Sequence, residues 1–220
     1  MKPIVVVVSG HSGSGKSTVV TELAKRLNCA YLLFDNYASK ADFPNDITQW
    51  VQEGCDPNVI QTPKLREDLL RLLSGSSVER SSGSGWAKEY YSTETNNKLE
   101  QIKPTDIILI EEPFGREREE LAEFIDLVIY LDVATEIALA RRVLDLVRAE
   151  QLRSDPEGLV TLLDHFLFDY LHTGVREMFL SIGSRVMNNC DLLVDSTKDV
   201  EEIVENIANK IKEYNGIIRK

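Results

Sequence analysis

Apolar residues recur along the chain in short runs separated by longer stretches of helical pattern. Ile4–Val8 is a continuous β-branched run. A strand that is apolar at every position is buried on both faces, as in the middle of a parallel sheet. Tyr31–Phe34, Ile107–Ile110 and Leu127–Leu131 have the same character, and Leu192–Val194 is a weaker fifth run. Between them, Lys16–Leu27 carries Val19, Val20, Leu23, Ala24 and Leu27 at helical spacing. Thr62–Leu73 predicts a helix with a threonine cap and Pro63 in its first turn. Arg116–Ile125, Glu136–Arg148 and Val200–Tyr214 predict further helices. Leu159, Leu162, Leu163, Phe166, Leu167, Tyr170 and Leu171 follow amphipathic spacing closely. Strands alternating with helices imply βαβ units, hence an α/β domain with helices on both faces of a parallel sheet.

Two stretches interrupt this rhythm. Ala38–Gln61 is irregular, with Pro44, Gly54 and Pro57. Ser74–Lys103 is rich in Ser, Gly, Thr and Asn, with Gly-Ser-Gly at 83–85 and the aromatics Trp86, Tyr90 and Tyr91. The expectation is a surface or substrate loop over Ser74–Ser84 and a short hairpin over Trp86–Thr93. Long loops in compact α/β domains often serve as substrate loops or lids. Residues 38–103 are therefore read as an acceptor-binding insertion within a single domain spanning 1–220.

The chain of 220 residues, 43% apolar and 28% charged, suits one soluble globular domain. Its net charge of −11 argues against a nucleic-acid partner, which calls for a basic face. Cys29, Cys55 and Cys190 lack paired metal spacing and read as reduced thiols. No apolar run is long enough for a membrane span or signal segment. These features together point to a cytoplasmic protein, with a homo-oligomer left open.

Candidate chemistry begins directly after the first strand. Gly10-His11-Ser12-Gly13-Ser14-Gly15-Lys16-Ser17 fits G-x-x-x-x-G-K-[ST] at every fixed position, between a buried strand and a helix. The glycines let successive N–H groups point inward at phosphate oxygens, and the helix N-terminus adds partial positive charge. Lys16 reaches the β- and γ-phosphates, and the Ser17 hydroxyl is placed for Mg²⁺. Residues 10–17 with Thr18 form the expected ATP-binding set. His11 occupies a variable position and is expected to face solvent.

Phosphoryl transfer also needs a metal holder and a carboxylate for the acceptor hydroxyl. Asp35 follows the second strand, and Glu111 and Glu112 follow Ile107–Ile110, at the carboxyl ends where active groups of parallel sheets sit. Asp35 is the candidate base, Glu111 the metal-linked carboxylate, and Glu112 is open between function and structure. Asp132 is expected to cap the helix beginning near Thr135. Arg141, Arg142, Arg148 and Arg153 precede Ser154-Asp155-Pro156-Glu157-Gly158. Helical spacing puts Arg141 and Arg148 on one face, so 141–158 reads as a lid that supplies positive charge to the transferred phosphoryl.

These residues resemble the uridine kinase and phosphoribulokinase-like group of P-loop kinases. The resemblance implies a three-layer P-loop fold around a five-stranded parallel sheet. Phe34-Asp35-Asn36-Tyr37 looks like the family's Asp-x-Phe/Tyr turn, which implies that Asp35 is the base. Ile108-Leu109-Ile110-Glu111 looks like its strand ending in Glu, although Glu112-Pro113 stands where the family usually has Gly. Leu139–Leu144 looks like the opening of the arginine-rich lid. The helix at 159–180 and Cys190–Val194 are similar to the family's closing elements. The family's His-Ser-Arg segment, which helps hold the nucleoside, has no counterpart here; Tyr90–Glu94 stands in its place. Trp50, Trp86, Tyr90 and Tyr91 could stack on a base or simply pack.

The resulting expectation is an ATP- and Mg²⁺-dependent kinase of a small-molecule hydroxyl, with a nucleoside-like acceptor. Acceptors of pantothenate, nicotinamide riboside or sugar type are the alternatives within that class. A P-loop switch or a non-catalytic nucleotide-binding module is the alternative outside it, although no Asn-Lys-x-Asp base-reading motif occurs.

Overall fold

A computed structural model describes residues 2–81, 99–148 and 155–218. Its centre is a five-stranded sheet in the order β2-β5-β1-β6-β7, with every pairing parallel. The strands are β1 (Ile4–Ser9), β2 (Ala30–Leu33), β5 (Ile107–Glu111), β6 (Leu127–Asp132) and β7 (Leu192–Asp195). Each of the five apolar runs became one of them. The Tyr31–Phe34 run shifted by one residue, because Phe34 opens a 3-10 turn over Phe34–Asn36.

Burial on both faces follows from alternation along each strand. Val5, Val7, Ile108, Ile110 and Val128 face one core. There they meet Leu65, Leu69 and Leu72 of α3 (Pro63–Leu73), and Met178, Ile182 and Val186 of a late helix at Val175–Asn188. Val6, Val8, Leu109, Ile129 and Leu131 face the other core. That side is covered by α1 (Lys16–Leu27) and the closing helix α8 (Val200–Ile218).

Several sequence expectations need correction. Arg116–Ile125 is helical only as α4, Glu119–Ala122. Gly115 at φ 56 turns the chain, and the Arg116 guanidinium bonds the Asp126 carbonyl and Asp191 carboxylate instead of lying along a helix face. The helix expected over 159–180 is two helices, α6 (Pro156–His172) and α7 (Val175–Asn188). Gly174 separates them at φ 81, with its α-carbon against Thr48, where a β-carbon would lie 3.2 Å from the Thr48 Cα. This break lets α7 swing onto the sheet. Thr62 stands at the α3 N-cap without capping it; its hydroxyl accepts from Arg118 instead.

Short elements run through the described part of the insertion. α2 (Ile47–Gln52) starts from Asp46, whose carboxylate accepts from the Gln49 N–H. Trp50 is buried, and its indole donates to the Asp56 carbonyl at 3.0 Å. It is a packing residue. Within the stretch read as a loop, β3 (Val78–Ser81) pairs antiparallel with β4 (Leu99–Ile102). The expected hairpin over Trp86–Thr93 lies outside the described residues, as does Arg153. Lys16–Leu27 and Glu136–Arg148 form helices as expected, the second as α5 (Thr135–Arg148).

Candidate active site

Sheet register brings the functional ends together. Glu111 pairs in register with Val8 of β1 on one side and Leu33 of β2 on the other. The phosphate loop leaves β1 just beyond Val8, and Asp35 lies two residues past Leu33. The carboxyl ends of three adjacent strands therefore meet at one point, where parallel α/β sheets open a crevice.

The loop geometry explains its glycines. Gly13 has φ 80, and a β-carbon there would stand 2.1 Å from the Ala138 carbonyl oxygen of α5. Gly15 has φ 92 at the N-cap of α1, so the helix starts from a left-handed residue and its first N–H groups stay directed at the loop. Lys16 folds back over the loop, donating to the His11 carbonyl at 3.1 Å and standing 3.9 Å from the Glu111 carboxylate. Ser17 donates to Glu111 Oε1 at 3.0 Å.

Glu111 and Glu112 diverge because strand alternation sends neighbours to opposite faces. Glu111 follows Leu109 to the α1 side, where Lys16 and Ser17 wait. Glu112 follows Ile110 to the other side and lies against Arg118. Burial pushes the Glu111 carboxyl up to about 7, against the pull of Lys16, and nearby Asp35 raises it further. Its Oε2 is buried without a hydrogen-bond partner. Burial likewise pushes Glu112 up to about 7, with Arg118 opposing. An orphaned carboxylate oxygen beside a serine hydroxyl suits a hard cation that keeps most of its waters and takes further oxygens from phosphates. Among the described residues no cluster of three or more His, Cys, Asp or Glu could form a self-sufficient metal site.

A cavity of about 1020 Å³ runs across this point. Its lining takes in residues 10–18 with Arg141, Arg142, Ser196 and Lys198. It also takes in Phe34, Asp35, residues 38–40 and 43–48, and α6 and α7 residues including Phe166, Asp169, His172 and Phe179. Asp35 is exposed in this lining.

The expected residues separate here. Asp35, Lys16, Ser17, Thr18, Glu111 and Arg141 all line the cavity. Arg141 is held by the Ser196 hydroxyl and carbonyl at 3.1 and 2.9 Å, and Ser196 in turn donates to the Ser14 carbonyl of the loop at 2.7 Å. Arg148 is exposed near the end of α5 and does not reach the cavity lining. Two helical turns from Arg141 carry it past the loop. His11 is half-buried rather than free in solvent: its Nε2 lies 3.2 Å from the Val133 carbonyl, and its ring stacks on Phe179 at 5.9 Å. Ser196 and Arg118 were not anticipated. Ser196 follows the weakest strand and belongs to no motif. Arg118 sits in the run Arg116-Glu117-Arg118-Glu119-Glu120, which reads as a solvated helix face.

A glycine loop between a central parallel strand and a helix, with its lysine and a strand-end carboxylate on one large cavity, defines a P-loop phosphotransferase. The chain belongs to the phosphoribulokinase/uridine kinase family, whose model matches residues 5–149. It is an ATP-dependent small-molecule kinase. Among curated proteins it is similar to the uridine kinase of Clostridium tetani, 27% identical over 219 residues, covering 96% of each chain. The uridine kinase of Limosilactobacillus reuteri is 24% identical over 216 residues, covering 96% of this chain and 92% of that protein. Among solved structures, deoxyadenosine kinase from M. mycoides with bound dATP aligns with a TM-score of 0.44 at 15% identity, covering 95% of this chain and 99% of that one. Among the described residues no helix is long and apolar enough to cross a membrane.

Proposed function

We propose that the protein transfers the γ-phosphoryl group of Mg-ATP to a hydroxyl of a nucleoside-like acceptor. In this reading the loop amides of residues 10–18 and Lys16 hold the triphosphate. Ser17 and Glu111 would hold Mg²⁺, which would neutralise charge on the phosphates. Asp35 takes the acceptor proton, and Arg141 lies over the transferred group. Most of the catalysis is positioning and charge stabilisation. The acceptor side of the cavity draws on residues 38–40 and 43–48 of the insertion, and the segment 141–158 is read as the cover.

The observation that carries this reading is the position of Asp35. It is exposed in the same cavity as the phosphate loop, close enough to raise the Glu111 carboxyl. A nucleotide switch has no use for such a carboxylate on an acceptor side. The acceptor side also bears on substrate class. Among the described lining residues it carries Asp35, Asp46 and Asp169 against the cation Lys40, which itself lies 4.0 Å from Asp169. That balance disfavours a phosphorylated or carboxylated acceptor. Phe43, Phe166 and Phe179 are half-buried in the lining and offer apolar ring area for a base. The uridine kinases among the relatives point the same way. The reading includes a cytoplasmic setting, in keeping with three free thiols.

The test is phosphoryl transfer from Mg-ATP over a panel of nucleosides, pantothenate, nicotinamide riboside and sugars. A nucleoside should be the best acceptor. Asp35→Asn should lower transfer by roughly 100-fold or more while ATP binding persists. Full transfer activity in that variant would remove Asp35 as the base. Hydrolysis alone across the whole panel would sink the kinase reading in favour of a switch.

A further inference from the structure

Glu112 stands where the family usually carries glycine, and the structure gives it a partner no motif foretells. Its carboxylate is fully buried, 3.3 Å from the guanidinium of Arg118, which is itself 1% exposed. Oε1 accepts from the Phe114 N–H at 3.3 Å, and the Glu112 carbonyl accepts from the Ser9 hydroxyl at 2.6 Å. Arg118 continues outward from the pair. It donates to the Ile60 carbonyl at 3.0 Å and the Thr62 hydroxyl at 2.6 Å. It lies 3.5 Å from Glu120, which accepts from the Thr62 N–H. Its guanidinium covers the ring of Phe34 at 5.4 Å and that of Phe114 at 5.8 Å.

Two properties of this arrangement matter. A buried ion pair is a poor source of stability, since apolar residues of similar size usually serve as well. Yet this pair ties down the residue next to each candidate catalytic carboxylate. Glu112 adjoins Glu111, and Phe34 adjoins Asp35. The same guanidinium fixes the middle of the insertion through Ile60 and Thr62. Phe34 and Phe114 also line the cavity.

We propose that the buried Glu112–Arg118 pair is a positioning brace that sets the separation between Asp35 and Glu111 and anchors the acceptor-side insertion to the end of β5. It rests on the assignment of Asp35 and Glu111 given above. The pair touches neither phosphate nor acceptor. It acts through Phe34 and through the backbone at the strand end, so its loss should lower turnover while leaving the phosphate loop intact. A misplacement of about 1 Å at a reacting group costs on the order of 100-fold in rate.

The experiment uses the full chain with uridine as the acceptor probe. Its variants are Glu112→Gln and the apolar pair Glu112→Leu with Arg118→Met. The apolar pair should fold and melt within several degrees of the parent. Both variants should bind a fluorescent ATP analogue with Mg²⁺ within about twofold of the parent, with kcat for transfer falling about 10- to 100-fold. A folded variant with unchanged kcat overturns the proposal. So does a loss of ATP affinity that parallels the loss of kcat, or failure of both variants to fold, since either makes the pair an ordinary element of the fold. If the parent chain does not phosphorylate uridine, the failure belongs to the nucleoside reading. The brace is then judged by amide hydrogen exchange of residues 34–38 in folded Glu112→Gln. Faster exchange there is expected, and unchanged exchange overturns the proposal.

Discussion

Replacing Glu111 by Gln should stabilise the nucleotide-free protein above neutral pH while crippling its activity. Burial raises the folded Glu111 carboxyl from 4.5 to about 7. Between those values the native state holds a proton that the unfolded chain has released, so stability falls as pH rises through that window. Above it the ionised carboxylate costs about 3 kcal/mol relative to the unfolded chain, from 1.36 kcal/mol per pK unit. The Glu111→Gln substitution would remove that cost and weaken the bond from Ser17, a loss of about 1 kcal/mol. The net gain is about 2 kcal/mol at about pH 8, or roughly 4–8 °C in melting temperature for a domain of this size. At about pH 5 the two proteins should melt nearly together, since little of the cost has yet developed. Burial, the largest cause, pushes Glu112 up in both proteins; losing the Glu111 charge eases that shift in the variant, which adds to the gain. The assay is thermal melting of parent and variant at both pH values, with and without Mg-ATP. Added Mg-ATP should stabilise the parent more than the variant, and transfer by the variant should fall roughly 100-fold. A variant that melts below the parent at the higher pH without nucleotide would refute the reasoning. The contacts to Lys16 and Ser17 would then outweigh burial.

Three other outcomes follow from the geometry. Gly13→Ala places a β-carbon 2.1 Å from the Ala138 carbonyl oxygen at a left-handed position; it should cost about 1–3 kcal/mol of stability and at least tenfold in ATP affinity by calorimetry. Arg141→Ala should lower kcat by at least tenfold in the transfer assay, whereas Arg148→Ala, exposed and off the cavity, should leave it within about twofold. Equal losses in both would restore Arg148 to the site. Trp50→Ala should cost about 3–5 kcal/mol by urea unfolding, because its ring is buried and its indole bonded.

The sequence by itself determined the sheet and the donor loop. Both are encoded locally: a strand buried on two faces must be apolar at every position, and a phosphate cradle must have glycine where φ is positive. Asp35 and Glu111 were legible for a related reason, since a polar residue directly after such a run marks the strand's carboxyl end. The two-residue core contribution of Val78 and Ile102 was too brief to show a period, so the β3–β4 pair was invisible. Tertiary structure alone decided the rest. Gly174 broke one amphipathic pattern into two helices because α7 must approach Thr48 and the sheet. His11 is half-buried because the Val133 carbonyl and Phe179 lie beside it. Arg141 reached the cavity and Arg148 did not, though both share a helix face, because only the first turns of α5 pass the loop. Arg118 looked like one charge in a solvated run and became a buried counter-ion. Each of these depends on partners distant in sequence, and no local spacing records them.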